Sequence, residues 1–186
     1  MERDKGIEGY CNFNQNKITV NTKLELKRIF CIGPIGFVVT IIIWFVAIKL
    51  EKAMDIPKMI INPTFKNFLL IVFFIDAVYL FLGSQLTLIP KERGKKLITH
   101  GPFRFIRHPI YSAIMFSGSG MLAVWRESWI ILVSVLPISL FWAWLVQKEE
   151  NYMISLFGKK YKKYQEKTGQ FLPSWKALKK ETEKEV

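Results

Sequence analysis

The feature that most constrains the fold is an uncharged, mostly apolar run that begins at Ile29 and meets its first charge at Lys49. A helix needs roughly 20 apolar residues to cross the hydrocarbon core of a bilayer. The run reaches this length, and it exceeds the apolar core of a cleavable signal peptide, which has roughly 7 to 15 residues. The chain is therefore predicted to be an integral membrane protein that keeps this span, residues 29–50.

Three further apolar segments follow the first. Residues 68–90 are interrupted only by Asp76, and residues 128–147 contain no charge. Residues 109–125 are richer in small side chains, and only a short charged turn separates them from the last segment. Inside lipid every backbone polar group needs a partner within the protein, and no alternating barrel-like segments are visible. The sequence therefore predicts an all-α polytopic membrane protein with about four transmembrane helices, the last two forming a tight hairpin.

The lysines and arginines are distributed unevenly among the connecting segments. Residues 1–28, 88–108 and 148–186 lie on one side of the membrane if the chain crosses it four times, and they hold 22 of the 27. Basic residues favour the cytoplasmic side, so this side and both termini are predicted to be cytoplasmic. We divide the chain into a cytoplasmic N-terminal arm (1–28), a membrane domain with a cytoplasmic C-terminal helical segment (29–175) and a charged tail (176–186).

The net charge of +12 at pH 7 is explained by the same basic connecting segments. A nucleic-acid-binding protein would carry its positive charge on a soluble face, so we expect no nucleic-acid partner. The chain contains two cysteines and two histidines, whose spacing does not match a zinc site, and we predict no metal. No oligomeric state is predicted.

The stretch RHPIYSA, residues 107–113, marks the start of the third span. Pro109 suits the first position of a helix, where its missing N–H costs nothing, so His108 is the expected N-cap. Free backbone N–H groups and the positive end of the helix dipole then lie beside the Arg107 side chain. This arrangement favours a small carboxylate ligand; alternatively, Arg107, His108 and Tyr111 anchor the span at the lipid headgroups.

Two further pairs of residues are candidates for binding. Gly118 and Gly120 permit close approach, either of a neighbouring helix or of a ligand. Glu149 and Glu150 follow the last span, and adjacent helical positions point about 100° apart, so the two carboxylates are expected to have different roles. One would accept hydrogen bonds from a ligand while the other pairs with a cation such as Arg107. The alternative is an ordinary solvated pair.

These motifs occur in a fixed order along nearly half of the chain, residues 88–175. A GxFxxxRHPxY segment (101–111) and a GxG (118–120) precede the Glu-Glu pair, and FGxxYxxY (157–164) and TGxFxP (168–173) follow it. In this combination they resemble the membrane methyltransferases that comprise the isoprenylcysteine carboxyl methyltransferases and the phospholipid N-methyltransferases. The first 87 residues match only in being two membrane spans.

The resemblance implies a cofactor, S-adenosyl-L-methionine, bound on the cytoplasmic side between the hairpin and the C-terminal helix. It also implies methyl transfer to a lipophilic acceptor from the bilayer, either isoprenylcysteine carboxylate-like or phospholipid-like. Carried over by position, the cofactor-binding residues would be Arg107, His108, Pro109, Tyr111, Gly118, Gly120, Glu149 and Glu150. The catalytic candidates would be Glu150 and Arg104.

One departure from the resemblance concerns the acceptor. In the prenylcysteine enzymes an arginine lies four residues before the Glu-Glu pair, and this chain has Leu145 there. The departure weakens the prenylcysteine interpretation, although Arg104 or Lys148 would be candidate substitutes. The GxG favours a phospholipid-like or other lipophilic acceptor.

Two other classes of function remain as alternatives. One is a membrane reductase of the sterol-reductase type, which would need a pocket long enough for NADPH. The other is a non-catalytic scaffold or small transporter centred on Asp76, because an ionisable group within a span is often functional. A plainer role for Asp76 is a hydrogen bond to a neighbouring helix through Tyr79, Ser84 or Gln85.

Overall fold

The computed structural model describes residues 32–88 and 96–174. Its α-helices are α1 (Ile32–Ala53), α2 (Pro63–Thr87), α3 (Pro109–Ser112), α4 (Ser119–Arg126), α5 (Trp129–Val133), α6 (Val135–Phe157) and α7 (Lys159–Lys167). A 3-10 turn spans Gly101–Arg104, and a π-helical segment, Ala113–Gly118, joins α3 to α4. The all-α prediction is confirmed for these residues. The proposed arm 1–28 and tail 176–186 lie outside them.

Three helical stretches are long and apolar enough to cross a membrane: Ile32–Ala53, Pro63–Thr87 and Trp129–Phe157. The predicted multi-pass architecture is therefore confirmed. Residues 109–126 form three consecutive helical segments, none of which reaches the length of a span. The crossing by residues 109–125, and with it the count of four, stays a prediction.

The boundaries of two spans differ from those predicted. The second begins at Pro63 rather than residue 68, because the Asn62 side chain accepts a hydrogen bond from the Thr64 N–H at 2.9 Å and Pro63 occupies the first turn. The last continues to Phe157 rather than ending near residue 147, and Gly158 ends it with a positive φ of 52°. The acidic pair therefore lies within the final helix rather than after it.

The core forms where α1, the π-helical segment and α6 meet. Trp142 is fully buried there with Met115, and its indole N–H donates to the Thr40 hydroxyl at 2.9 Å. A side chain at Gly36 would overlap the Trp142 ring, so glycine at this position lets α1 approach α6 closely. On the other side, α2 packs against the stretch 109–126, which thus lies between α2 and α6.

The two ends of the bundle carry different structures. At one end the loop after α1 meets the turn between α4 and α5, where the Met59 N–H donates to the Glu127 carbonyl at 2.8 Å and Lys66 pairs with the Glu127 carboxylate at 2.6 Å. At the opposite end lie the 3-10 turn, the start of α3 and α7. The RHP and Glu-Glu motifs are therefore at the end away from the hairpin turn.

Candidate functional site

The start of α3 has the local structure that the sequence predicts. His108 is the residue before the helix and Pro109 occupies its first turn. The imidazole does not cap the helix; its Nε2 lies 3.2 Å from Glu150 Oε1 and its Nδ1 lies 4.0 Å from Glu149 Oε2. The ring also stacks on Tyr111, with centroids 5.6 Å apart and planes 7° apart. The buried His108 side chain therefore faces both carboxylates.

The two glutamates have different surroundings. Glu150 accepts hydrogen bonds from Arg107 Nε at 2.8 Å and from Gln165 Nε2 at 3.0 Å, and its side chain is 12% exposed. Glu149 accepts one from the Tyr111 hydroxyl at 3.3 Å and is 23% exposed. The expectation that the pair divides its roles agrees with these contacts. Glu150 is held by the protein, while Glu149 remains accessible.

Arg107 joins three parts of the chain. Besides the ion pair with Glu150, its Nη1 donates to the carbonyls of Gln165 at 3.2 Å and Thr168 at 2.5 Å. The planar guanidinium has donors on several sides, which suits a residue that binds several acceptors at once. These contacts hold Gln165 and Thr168 beside Glu150, which favours a positioning role for Arg107.

The segment after α7 pairs with the segment before α3. Ile106 and Gly169 form an isolated parallel bridge. The Arg107 N–H donates to the Gly169 carbonyl at 2.8 Å, and the His108 N–H donates to the Gln170 carbonyl at 3.1 Å. A side chain at Gly169 would overlap the carbonyl oxygen of Leu172, so only glycine fits this turn. This pairing fixes the backbone of the RHP motif.

The helix α7 covers the same cluster through its tyrosines. The Tyr164 hydroxyl donates to the Phe103 carbonyl at 2.5 Å, and Tyr161 and Tyr164 are both buried. Burial raises the pKa of each phenol above its usual value. Gln165, the next residue, reaches Glu150. The arrangement brings Arg107, His108, Tyr111, Glu149 and Glu150 together beneath α7.

Comparison with known proteins identifies the group to which this fold belongs. The model of the family described as phospholipid methyltransferase matches residues 60–160, more than half of the chain. The chain belongs to this family. The match includes the start of α3 and the acidic pair, and it ends before Gln165 and Gly169.

Two curated relatives of this chain come from rice. They are the probable protein-S-isoprenylcysteine O-methyltransferases of Oryza sativa subsp. indica and Oryza sativa subsp. japonica, each 31% identical over 82 residues. The alignment covers 44% of this chain and 43% of each relative, so the chain spans less than half the length of the relatives that it matches. Methyltransferases of this family use S-adenosylmethionine as methyl donor.

Three of the predicted residues lie apart from the cluster in this member of the family. A Cβ at Gly120 would lie 2.6 Å from the Phe73 ring, and one at Gly118 would lie 3.5 Å from the Trp44 ring. Both glycines thus face neighbouring helices, which favours helix packing over ligand contact. Arg104 is exposed, with its guanidinium 5.5 Å from the centre of the Phe105 ring.

The structure shows the contacts of two further residues that the sequence analysis discussed, Leu145 and Asp76. Leu145 is 7% exposed and packs in the core with Trp142 and Phe171. Asp76 accepts a hydrogen bond from the buried Ser117 hydroxyl on the π-helical segment. The plainer interpretation expected a bond to a neighbouring helix, and the Asp76 carboxylate makes that bond directly. The contact joins α2 to the adjacent helical stretch.

Sequence reasoning missed the residues that connect α7 to the cluster. The Gln165 side chain donates a hydrogen bond to Glu150. The Ser112 hydroxyl donates one to the Phe171 carbonyl, in the segment after α7, at 2.6 Å. The TGxFxP motif was a signal, because its Thr168 and Gly169 carbonyls are the acceptors for Arg107. Its role becomes visible only when both segments are placed side by side.

Proposed function

We propose that this protein transfers a methyl group from S-adenosylmethionine to a lipophilic acceptor that resides in the membrane. The observation that carries the proposal is the accessible Glu149 carboxylate beside the stacked rings of His108 and Tyr111, at the end of the bundle away from the hairpin turn. The described basic residues within 96–108 and 148–167 lie at this end, which supports a cytoplasmic site. The positive-inside bias of the whole sequence supports both termini on that side. A soluble cofactor would enter there, while the acceptor would come from the bilayer.

The donor set fits the chemistry of the cofactor. S-adenosylmethionine carries an ammonium group, a sulfonium and ribose hydroxyls, and a carboxylate such as Glu149 accepts hydrogen bonds from the ammonium or the hydroxyls. Aromatic faces attract cations, so the Tyr111 ring and the adjacent His108 suit the sulfonium end. We assign Glu149, His108, Pro109 and Tyr111 to cofactor binding.

Arg107 and Glu150 position the cofactor-binding residues, because Glu150 pairs with Arg107 and lies beside His108. A carboxylate that accepts hydrogen bonds from a guanidinium and an amide, with an imidazole in reach, is a poor proton acceptor. Glu150 was a catalytic candidate from the sequence, but its contacts favour a positioning role. Where an acceptor must lose a proton, Glu149 or water is the better base. Arg104 remains the candidate for contact with an anionic acceptor.

The cofactor supplies an electrophilic methyl group and a neutral thioether leaving group. Held by Glu149, His108 and Tyr111, it would give its methyl group to the acceptor atom and leave as S-adenosylhomocysteine. A carboxylate acceptor needs no base, whereas an amine acceptor passes one proton to Glu149 or water. The chain contributes orientation and exclusion of water, which together account for large rate gains in displacement reactions.

The acceptor is either phospholipid-like or isoprenylcysteine carboxylate-like. Leu145 is buried among apolar side chains at the position where the prenylcysteine enzymes would have an arginine, which supports the phospholipid-like acceptor. The rice relatives are named for isoprenylcysteine O-methylation, which supports the other. The two differ in the atom methylated, nitrogen or oxygen.

Transfer of label from S-adenosylmethionine tests the proposal directly. The purified chain is incubated in lipid discs with the methyl-labelled cofactor and either a phosphatidylethanolamine or a prenylcysteine acceptor. We expect label in one acceptor, stable to base if on nitrogen and released if it is a methyl ester. Glu149→Gln should abolish transfer, while Glu166→Gln, on the exposed side of α7, should not.

Equilibrium binding separates the alternatives. Binding of S-adenosylhomocysteine without binding of NADPH supports the methyltransferase, whereas the reverse result would establish the reductase. A scaffold or transporter would bind neither, and its function would depend on Asp76 rather than on Glu149.

A further inference from the structure

The two faces of α7 differ in character. Tyr161 and Tyr164 lie three positions apart on one face and are buried towards the cluster. The opposite side is exposed and strongly basic, with Lys159, Lys160, Lys162, Lys163 and Lys167. Within the described part of the chain, none of these lysines forms an ion pair; the pairs there involve other cations. Glu166 is the single acidic residue of the helix, so the outer face carries a large net positive charge.

The length of the last span places this basic face near the headgroup region of the bilayer. The stretch Trp129–Phe157 has 29 residues. At 1.5 Å per residue it measures about 43 Å, longer than the hydrocarbon core of about 30 Å. Trp144 is exposed, and the Lys148 ammonium lies 5.8 Å from the centre of its ring. Aromatic residues beside cations are typical of the headgroup region.

Contacts hold α7 close to that level. Gln165 binds the side chain of Glu150, which is two residues after Lys148. The helix therefore turns back at Gly158 towards Glu150 and does not continue along the axis of α6. Two exposed apolar side chains, Leu156 and Leu172, flank it on either side in the sequence. A basic helix with apolar neighbours at this position has the composition of an interfacial helix.

We propose that the exposed lysine face of α7 binds anionic lipid headgroups of the membrane that contains the protein. Each basic residue near an anionic membrane surface is attracted to it, and the attraction decays within a Debye length, about 8 Å at physiological salt. The buried face of the same helix supplies Tyr164 and Gln165 to the cluster. Headgroup binding on the outer face therefore holds α7 in place over the cluster.

Hydrogen exchange in lipid discs tests the proposal without any need for methyl transfer. The full chain is placed in discs of phosphatidylcholine alone and in discs that also contain phosphatidylglycerol. We expect the α7 amides to exchange several-fold more slowly in the anionic discs, and we expect the difference to disappear at about 0.5 M salt because the charges are screened. Equal exchange in both discs at low salt would overturn the proposal.

Two variants identify the surface responsible. Replacement of Lys159, Lys160, Lys162 and Lys163 by glutamine should remove the difference between the discs. The matched control Lys49→Gln with Lys52→Gln changes exposed cations at the other end of the bundle and should leave the difference intact. A difference that survives the fourfold replacement contradicts the proposal. So does slowing by a short RNA in neutral discs when the anionic lipid has no effect, which would instead indicate a nucleic-acid surface.

Discussion

Arg107 Nε lies 2.8 Å from Glu150 Oε1, and the two side chains are only 11% and 12% exposed. The pair joins the residue two before the first turn of α3 to the last third of α6. Because the same guanidinium binds the carbonyls of Gln165 and Thr168, it also holds the segment that covers the cluster. One side chain thus connects the segment before α3 with three parts of the chain: α6, α7 and the segment after α7.

Arg107→Ala should destabilise the protein and abolish binding of S-adenosylhomocysteine. Removing one partner of a nearly buried ion pair leaves the other charge uncompensated, at a cost of about 3 kcal/mol. Thermal unfolding in detergent and calorimetry measure the two effects. Lys162→Ala, which removes an exposed cation on α7, should leave the melting temperature and cofactor binding unchanged. An unaltered melting temperature in Arg107→Ala would contradict the assigned role.

Glutamine at the two acidic positions should have separable effects. Glu149→Gln should weaken binding of S-adenosylhomocysteine at least tenfold with little change in melting temperature, because its carboxylate is accessible and has one protein donor. Glu150→Gln should lower the melting temperature as well, since it loses the charge that pairs with Arg107. Calorimetry and thermal unfolding on both variants provide the comparison. Equal losses of binding and of stability in both would mean that the carboxylates share one role.

Alanine at the two glycines of the GxG motif distinguishes packing from ligand binding. Gly120→Ala would place a methyl group 2.6 Å from Phe73, and overpacking of this kind costs about 1 to 3 kcal/mol. Gly118→Ala meets nothing closer than 3.5 Å and should be tolerated. Thermal unfolding should therefore detect the first change and not the second. Loss of cofactor binding in Gly118→Ala with unchanged stability would favour the cofactor role implied by the family resemblance.

The stability contributed by Tyr164 should fall at high pH. Its pKa is raised by burial in the folded state, so above about pH 10 the unfolded phenol loses its proton while the folded one keeps it. The free energy of unfolding should decrease by about 1.4 kcal/mol per pH unit in that range for this group. The difference between the wild type and Tyr164→Phe should be constant below about pH 9 and shrink above it. Unfolding curves from pH 8 to 11 on both proteins measure it, and a constant difference throughout would contradict the prediction.

Gly169→Ala should disrupt the pairing of residues 105–108 with residues 168–171. The added methyl group would overlap the Leu172 carbonyl oxygen, so the turn must open. We expect loss of cofactor binding and faster proteolysis after α7. Gly158→Ala provides a comparison, since its Cβ would meet nothing within 4 Å and only the positive φ of 52° opposes it. Equal behaviour of the two variants would show that the close approach at Gly169 is unimportant.

The parts of the structure that the sequence predicts are those with local causes. The first span follows from an uncharged run, and the start of α3 follows from a proline that fits only the first turn of a helix. The different surroundings of Glu149 and Glu150 follow from the angular spacing of helical residues. Each of these conclusions needs only a few neighbouring residues.

The remaining parts depend on contacts between distant segments. The partner of Asp76 is Ser117, 41 residues away, and reasoning from sequence expected a neighbouring helix without naming the residue on it. Gln165 reaches Glu150 because α7 turns back at Gly158, and no local pattern specifies that direction. The π-helical segment likewise has no marker in composition. Tertiary packing decides all three.

The pairing between residues 105–108 and 168–171 has a consequence for biosynthesis. The ribosome synthesises the three long apolar helices and both glutamates before it reaches Thr168, so the RHP segment lacks these backbone partners until then. Arg107 acquires its last acceptor and His108 its backbone partner only when the TGxFxP motif emerges. The site is therefore among the last parts of the described chain to assemble, after the three apolar helices that precede it have been synthesised.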